Sequence, residues 1–293
     1  MKQSLSPKEM AQVIGVSESS LKRWADGGRL RVTRTMGGHR RIALQEAVRF
    51  VREARLPLVK PELLGITRID SLPGAPRKVT ADNAPELLRE FLEKGEADHA
   101  RGLLVDLYLK GKSVAWLCDG PLKHAMYQIG ELWHNDPNGI HQEHRALDVC
   151  VQALSYLRVL LSNPPSPDDE PRPVAIGGGP AHDPYVLGSL ASSCVAAEAG
   201  YHDINLGANL PLDSLVKAAQ EHDARLAWLS CSSHDAMPSP KQIDALGEEL
   251  AELGTRLVVG GQASPHGGGQ SENVRVCETM AEFSAFAGGL VLA

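Results

Sequence analysis

The strongest constraint on the fold is a repeated alternation of strand and helix patterns over residues 173–293. Each of four short apolar runs is followed by a segment with helical spacing, and the runs are PVAIGGGP, YHDINLGANLP, ARLAWLSCSS and RLVVGGQAS. Such alternation is typical of an open parallel sheet with helices on both faces. Ligands of such folds bind at the carboxyl ends of the strands, where GGGPAHDPY, LGANLP, SCSSHD and GGQASP fall.

Residues 81–163 contain four helical patterns with short connections, which predict a four-helix bundle. Glycine or asparagine ends three of these patterns, as expected of helix C-termini. Residues 59–80 break the periodicity with three prolines and two glycines, and residues 164–172 are rich in proline and acidic residues. We predict that both of these segments are linkers.

Charge is distributed unevenly along the 293 residues. The formal net charge is −6, yet residues 1–60 contain 13 Lys or Arg against 5 Asp or Glu. An excess of positive charge in one small unit predicts contact with a polyanion such as DNA. The five cysteines are widely spaced, and no apolar run approaches the roughly 20 residues of a membrane span. With no apolar signal core at the N-terminus, these features predict a cytoplasmic protein.

Residues 1–58 contain two short helical patterns separated by a turn. The first pattern, PKEMAQVIG, ends at Gly15, and Ser17 is suited to cap the second, SESSLKRWADGG. A helix, a turn and a basic second helix are the layout of a helix-turn-helix unit. Two short strands around Met36-Gly37-Gly38 and a closing helix would complete a winged helix-turn-helix head.

The GGHRR motif at Gly37–Arg41 makes this unit similar to the DNA-binding head of MerR-type regulators. In such a unit the second helix enters the major groove and the wing contacts phosphates. The candidate DNA-binding residues are Ser20, Lys22 and Arg23 in the helix and Arg34, His39, Arg40 and Arg41 in the wing. Because the head is small, we expect a homo-oligomer, a dimer or tetramer, to bind a double-stranded DNA operator with repeated half-sites.

A second cluster of functional side chains lies in GELWHNDPNGIHQEHRALDV, residues 130–149. The spacing of His141, Glu143 and His144 does not match the HExxH zinc motif. An indole supplies contact area, while a carboxylate and imidazoles supply directed hydrogen bonds, so the cluster is suited to cover a flat ligand. A capping acid beside solvent-exposed histidines is the alternative interpretation.

The order of a MerR-type head, a helix bundle and an α/β domain resembles the CarH and LitR cobalamin-dependent photoreceptor regulators over nearly the whole chain. In that family a tryptophan, followed ten and eleven residues later by Glu-His, covers the upper face of adenosylcobalamin. Trp133, Glu143 and His144 match this spacing. The resemblance implies that residues 173–293 form a Rossmann-like cobalamin-binding-type domain.

Three loops of that domain also match the family, at LGANLPL (206–212), Leu229-Ser230 and Gly260-Gly261-Gln262. The resemblance implies that they surround the nucleotide tail of the corrin. The candidate ligand-binding residues are Trp133, His134, His141, Glu143, His144, His182, Asp183, Tyr185, Gly188, Leu206, Gly207, Asn209, Ser230, Ser232, Gly260, Gly261 and Gln262.

The sequence departs from the family at the lower axial ligand of cobalt. The family motif E/DxHxxG aligns with residues 183–188, where Asp183 and Gly188 are kept but Tyr185 replaces the histidine. A phenol with a pKa near 10 is a poor cobalt ligand, although tyrosine ligates haem iron in some proteins. The possible axial ligand is therefore His182 or Tyr185, and the ligand is adenosylcobalamin, haem or a bilin such as biliverdin.

The sequence as a whole predicts a transcriptional regulator, a repressor by resemblance, and not an enzyme. A tetrapyrrole between the bundle and the α/β domain would respond to light or ligand and control oligomerisation and DNA binding. Two alternatives remain open: a ligand-free regulator controlled by a protein partner, and a corrinoid-carrier module of a methyltransferase. The basic head has no role in a carrier module, which disfavours that alternative.

Overall fold

The structure, a computed structural model, describes residues 3–76, 78–132, 139–162, 171–264 and 272–292. The N-terminal elements are β1 (Ser4–Leu5), α1 (Pro7–Ile14), α2 (Glu18–Asp26), β2 (Thr33–Arg34), β3 (Arg40–Ala43) and α3 (Leu44–Glu53). Ser6 and Glu9 form a capping box at α1, and the Ser17 hydroxyl accepts the Ser20 N–H at the start of α2. β3 pairs antiparallel with β2 and also with β1, a strand that the sequence pattern does not predict.

The segment 59–80 is irregular, but it is packed against both neighbouring units. It contains two short 3₁₀ turns, at Pro61–Leu64 and Ile69–Ser71, whose residues Leu64 and Ile69 are buried. A Cβ added at Gly102 would lie 2.9 Å from the Ile69 nitrogen, so the segment runs directly across this helix surface. The segment lacks helical periodicity, as predicted, and its buried residues belong to a core shared with both neighbouring units.

The middle of the chain is a packed helical unit of α4 (Ala84–Lys94), α5 (Ala97–Leu109), α6 (Val114–Leu117), α7 (Lys123–Leu132) and α8 (Gly139–Leu161). A π-helical segment, Cys118–Leu122, joins α6 to α7 and contains Pro121. The predicted third helix is therefore present over the described residues 114–132, with one wider turn that the sequence pattern does not indicate. Proline lacks an N–H and crowds the preceding turn, and the wider π turn accommodates both effects.

The C-terminal unit contains β4 (Val174–Gly178), α9 (Leu187–Glu198), β5 (His202–Asn205), α10 (Leu212–Glu221), β6 (Ala224–Ser230), α11 (Pro240–Glu252), β7 (Arg256–Gly260), β8 (Val274–Cys277) and α12 (Met280–Leu292). All five strands are parallel, in the order β5-β4-β6-β7-β8, which confirms the predicted parallel sheet. The prediction of four strands missed β8. The carboxyl ends of β4, β5, β6 and β7 meet at one edge of the sheet.

The helical unit and the sheet unit are joined along α8 and α9. The Cys194 thiol lies 3.6 Å from the Leu154 carbonyl oxygen, and Arg158 forms an ion pair with the buried Asp203 at 2.5 Å. Asp119 accepts the backbone N–H groups of Met280 and Ala281 at the start of α12. Among the described helices, none has the length and apolar character that a membrane crossing requires.

Candidate functional site

The predicted DNA-contacting side chains lie on α2 and on the β2–β3 hairpin. Lys22 and Arg23 are exposed on α2, and Arg34, His39 and Arg41 are exposed on the hairpin. The Ser20 hydroxyl lies 3.1 Å from the Ser17 hydroxyl, so it takes part in the polar cap of α2. The exposed basic groups leave one face of the head suited to contact a polyanion.

Arg40 has a different environment from the other predicted DNA-contacting residues. Its guanidinium donates to Asp26 at 2.5 Å, and its side chain is only 22% exposed. The side chains of Arg40 and Arg41 point to opposite faces of β3, because successive residues of a strand alternate. Arg40 thus ties the hairpin to the end of α2, which differs from the free phosphate contact that the sequence predicts.

Three loops converge at Gly179, directly after β4. A Cβ built on Gly179 would lie 3.4 Å from the Ser230 carbonyl oxygen, 3.6 Å from that of Tyr185 and 3.7 Å from the Ala208 Cα. The loops that follow β4, β5 and β6 therefore meet within van der Waals distance. This junction lies at the carboxyl edge of the sheet, where ligands of such folds bind.

The buried carboxylate of Asp183 holds two of these loops together. One oxygen accepts the backbone N–H of Tyr185 at 3.0 Å, and the other accepts those of Ser232 and Ser233 at 2.6 and 3.0 Å. The group is fully buried. A carboxylate removed from water requires such donors. Its hydrogen-bonding capacity is used by backbone groups of this chain.

The loop after β5 is fixed to the same junction. The Asn209 side chain accepts the His182 N–H at 2.7 Å, and the Asn209 N–H donates to the Asp183 carbonyl at 3.1 Å. His182 and Asn209 both have positive φ, 68° and 57°, which is uncommon outside glycine. The side chain of His182 is exposed. In the loop that contains Asn209, Gly207 has φ of 80° and Leu206 is partly buried.

Glycines allow the closest approaches along this edge. A Cβ on Gly188 would lie 2.4 Å from the Ser230 hydroxyl, and one on Gly261 would lie 2.2 Å from the Cys231 carbonyl oxygen. Gln262 donates to the Ser232 carbonyl at 3.0 Å, which links the loop after β7 to the loop after β6. Gly260 is the last residue of β7, and a Cβ added there would lie 2.9 Å from the Cys277 carbonyl oxygen.

The predicted cover residues of the helical unit lie at the start of α8. His141 and His144 are exposed and Glu143 is half-buried, all within the first turns of the helix. Trp133 and His134 lie outside the described residues. The sequence prediction that these side chains face a ligand therefore stays a prediction.

Helices α8 and α9 run in the same direction. Their C-terminal residues, Leu161 and Glu198, line one cleft, and Leu154 contacts Cys194 midway along both helices. At about 1.5 Å per residue, the eleven residues from Leu154 back to Glu143 span about 16 Å. The N-termini of α8 and α9 therefore lie on the same side, and that side carries the loop with Tyr185.

Two features of this edge were not predicted from the sequence. His234 is exposed in the loop after β6, one residue beyond Ser233, and the motif SCSSHD is the signal that could have drawn attention to it. Cys231 is buried, and this burial, together with the charge of Asp183, raises the pKa of its thiol to about 12.

The donor set at this edge fits a corrinoid only in part. The convergent loops and exposed Tyr185 and Val186 offer a surface for a large flat ligand. The motif position offers a phenol, and three backbone N–H groups already use most of the acceptor capacity of the Asp183 carboxylate, which leaves little of it to orient an imidazole. The residues present therefore fit a bound corrinoid but not one ligated through position 185.

Two segments of the chain match known domain families. Residues 4–55 match the helix-turn-helix domain, and residues 86–158 match the B12 binding domain. The chain therefore joins a helix-turn-helix domain to a B12 binding domain. The first match spans β1 to α3, and the second falls on the helical unit from α4 to α8. Among curated protein sequences, none matches this chain.

One of the solved structures that resemble this chain shares its fold over most of its length. The Methanosarcina barkeri monomethylamine corrinoid protein is 16% identical and superposes with a TM-score of 0.55 over 72% of this chain and 100% of its own. The Methanosarcina barkeri methanol:cobalamin methyltransferase complex MtaBC gives 16% identity and a TM-score of 0.38 over 72% of this chain and 81% of its own. A cobalamin-binding protein from Desulfitobacterium hafniense DCB-2 is 15% identical, with a TM-score of 0.34 over 71% of this chain and 98% of its own. The first of these similarities concerns the fold alone.

Proposed function

We propose that this protein is a transcriptional regulator whose affinity for DNA is controlled by cobalamin bound between the helical unit and the carboxyl edge of the sheet. The observation that carries the proposal is the joining of a helix-turn-helix domain to a B12 binding domain in one chain. The exposed basic face of the head supports operator binding. The convergence of three loops at Gly179 supports a ligand site at the sheet edge.

The ligand would be held mainly by shape and by polar contacts of the loops. Asp183, Asn209 and Gln262 fix the loops after β4, β5, β6 and β7 relative to one another, and the glycines among them allow these loops to approach closely. Tyr185 would contact the ligand through its ring or hydroxyl group and would not coordinate cobalt. His141, Glu143 and His144 with Trp133 would cover the opposite face. Bound cobalamin would supply a light-sensitive cobalt–carbon bond, and we extend the proposal to a repressor whose oligomeric state follows that bond.

The proposal is tested with purified protein and three measurements. Protein isolated from cells supplied with adenosylcobalamin should carry a corrinoid absorption spectrum. A DNA site selected by the wild-type protein from a random library should bind with different affinity in the presence and absence of cobalamin. Light-scattering mass before and after illumination should differ if oligomerisation is the response.

Other outcomes of the same experiment identify the alternatives. If protein that is offered all three tetrapyrroles shows the absorption bands of haem or biliverdin, then that chromophore and not cobalamin is the ligand. Tyr185 favours this alternative. A colourless protein that binds DNA would favour control by a protein partner. Methyl transfer from bound methylcobalamin to a thiol without any selected DNA site would favour a corrinoid-carrier module.

A further inference from the structure

One side chain of the DNA-binding head contacts both other units of the protein. Arg52 lies near the end of α3, and its guanidinium is 2.7 Å from a Glu198 carboxylate oxygen at the end of α9. The same guanidinium lies 3.7 Å from the centre of the Tyr108 ring on α5 and donates to the Tyr108 carbonyl oxygen at 3.4 Å. Head, helical unit and sheet unit therefore meet at Arg52.

The ion pair is largely withdrawn from solvent. The side chains of Arg52 and Glu198 are only 19% and 16% exposed, so salt and water screen their attraction poorly. The other carboxylate oxygen of Glu198 accepts the Val114 N–H at 2.8 Å, at the start of α6. Removing either partner would leave a buried charge without compensation, which makes the pair a strong restraint on the position of α3.

Around this contact the head is incompletely packed against the rest of the protein. A cleft of about 1150 Å³ opens beside the ion pair. It is lined by head residues Arg31, Gln45 and Arg49 and by Ser162, Arg172 and His202 from the other units. Apolar side chains of the head, such as Val48 and Val51, share one core with the helical unit, so the Arg52–Glu198 ion pair adds a polar restraint at the open edge of this contact.

Helix α9 connects this contact to the candidate ligand site. It begins at Leu187, two residues after Tyr185, and ends at Glu198. Twelve residues of helix span about 18 Å, and a helix transmits a displacement of one end to the other as a rigid element. Helix α8 runs beside it in the same direction, from Glu143 to the cleft.

We propose that the Arg52–Glu198 ion pair on Tyr108 is the contact through which the ligand site controls the position of the DNA-binding head. This inference rests on the proposed function, because it names the route by which ligand state reaches the head. Coupling between two sites is a free energy that requires an element biased by both of them. The ion pair is that element, with α9 on the ligand side and α3 on the DNA side.

The test measures coupling as the ratio of the DNA dissociation constants with and without adenosylcobalamin. Typical couplings are about 5- to 150-fold. The Arg52→Ala and Glu198→Gln variants should bring the ratio to near one while cobalamin affinity, read from absorption titration, stays at the wild-type value. Glu198→Gln is isosteric and keeps an acceptor for Val114, so it should fold normally. Arg49→Ala, which breaks only ion pairs to Glu46 and Glu53 within the head, should keep the wild-type ratio.

A second readout separates this inference from the proposed function. Amide hydrogen exchange in α3 should accelerate in Arg52→Ala and Glu198→Gln, without any ligand, if the pair restrains the head. Unchanged exchange, or an unchanged ratio in both variants, would overturn the inference and leave cobalamin control intact. A wild-type ratio of one would overturn both the proposed function and the coupling role. Accelerated exchange in the two variants would then show only that the ion pair restrains the head.

Discussion

Asp183 accepts a hydrogen bond from the backbone N–H of Ser232, 49 residues further along the chain, at 2.6 Å. This contact joins the loop after β4 to the loop after β6 across the carboxyl edge of the sheet. The aspartate of the aligned motif is therefore a structural residue of the site. It fixes the separation of two loops between which a ligand would bind.

Replacing Asp183 by asparagine should destabilise the sheet unit. The amide keeps the volume but loses the charge, and because its NH₂ group cannot accept, either the Tyr185 N–H or the Ser232 and Ser233 N–H groups lose their acceptor. Hydrogen bonds to a buried charge are worth about 1.5–3 kcal/mol, so we expect a loss of about 2–3 kcal/mol in the free energy of unfolding by urea. Asp244→Asn, at an exposed position of α11, is the matched control and should change this free energy little. Equal effects of the two substitutions would contradict the role of Asp183.

Arg41→Ala should weaken DNA binding without changing stability. The exposed guanidinium would contact a phosphate, and each such contact contributes about 0.9 to the slope of log affinity against log salt concentration. A gel-shift titration at several salt concentrations should show the slope reduced by about one. Lys241→Ala, in α11, should leave affinity and slope unchanged.

Arg40→Ala is expected to behave differently from its neighbour. The loss of the contact with Asp26 should lower the melting temperature of the head. DNA affinity should also fall in part, because the hairpin is then held less firmly against the end of α2. If Arg40→Ala instead matched Arg41→Ala in slope and left melting unchanged, Arg40 would be a phosphate ligand as the sequence alone predicts.

The thiols should be unreactive in the native protein. All five cysteines are buried, and burial raises the pKa of Cys150 to about 12, as it does for Cys231. A raised pKa keeps the thiol protonated until the pH approaches that value, so the thiolate fraction stays negligible from pH 7 to 9. Labelling by iodoacetamide should be slow in this range and should become fast and pH-dependent in guanidinium. Rapid labelling of Cys150 or Cys231 in the native state would contradict this burial.

The general organisation of the chain could be predicted from the sequence because it depends on local patterns. Apolar spacing gives the helices, and the strand–helix alternation gives a parallel sheet. β8 was missed because VRVC is a four-residue strand of mixed polarity. The π-helical segment at Pro121 was missed because one wider turn does not disturb the apolar spacing of the helices on either side.

The contacts between units could not be predicted in this way. Arg52 and Glu198 are far apart in the sequence, and Glu198 is the single charged residue of a helix that is otherwise small and apolar, with no local signal for its partner. The same holds for Arg40, whose position in a basic motif predicts a phosphate contact, while its fold partner Asp26 lies on another element. Sequence spacing identifies residue types suited to a site, but only the fold decides which of them pair with each other.

Trp133→Ala should weaken cobalamin binding. Trp133 lies outside the described residues, so this prediction depends on its spacing from Glu143 and His144. Burying an indole against a flat ligand contributes about 1.5–3 kcal/mol, which corresponds to a loss of affinity of at least tenfold. Trp116→Ala, in α6 of the same helical unit, should lower stability but leave cobalamin affinity unchanged. The prediction fails if both substitutions affect only thermal stability.

The substituted ligand position gives the most specific expectation about the cofactor. A phenol must lose a proton before it can coordinate a metal, whereas imidazole offers a neutral nitrogen at neutral pH. We therefore expect wild-type protein to bind adenosylcobalamin without nitrogen ligation from position 185. Tyr185→His should introduce a nitrogen-ligated absorption spectrum, although the three N–H groups already bound to Asp183 should limit how firmly that carboxylate orients the new imidazole.

Among the residues that the structure describes, His182 and His234 are exposed imidazoles of the loops after β4 and β6 that could replace the missing ligand. Wild type and the variants Tyr185→His, His182→Ala and His234→Ala should each be offered adenosylcobalamin, haem and biliverdin, and their spectra compared. Loss of a nitrogen-ligated spectrum in only one histidine variant would assign the axial ligand to that residue. A wild-type spectrum with nitrogen ligation that survives both histidine substitutions would show that neither of these two imidazoles is the axial ligand.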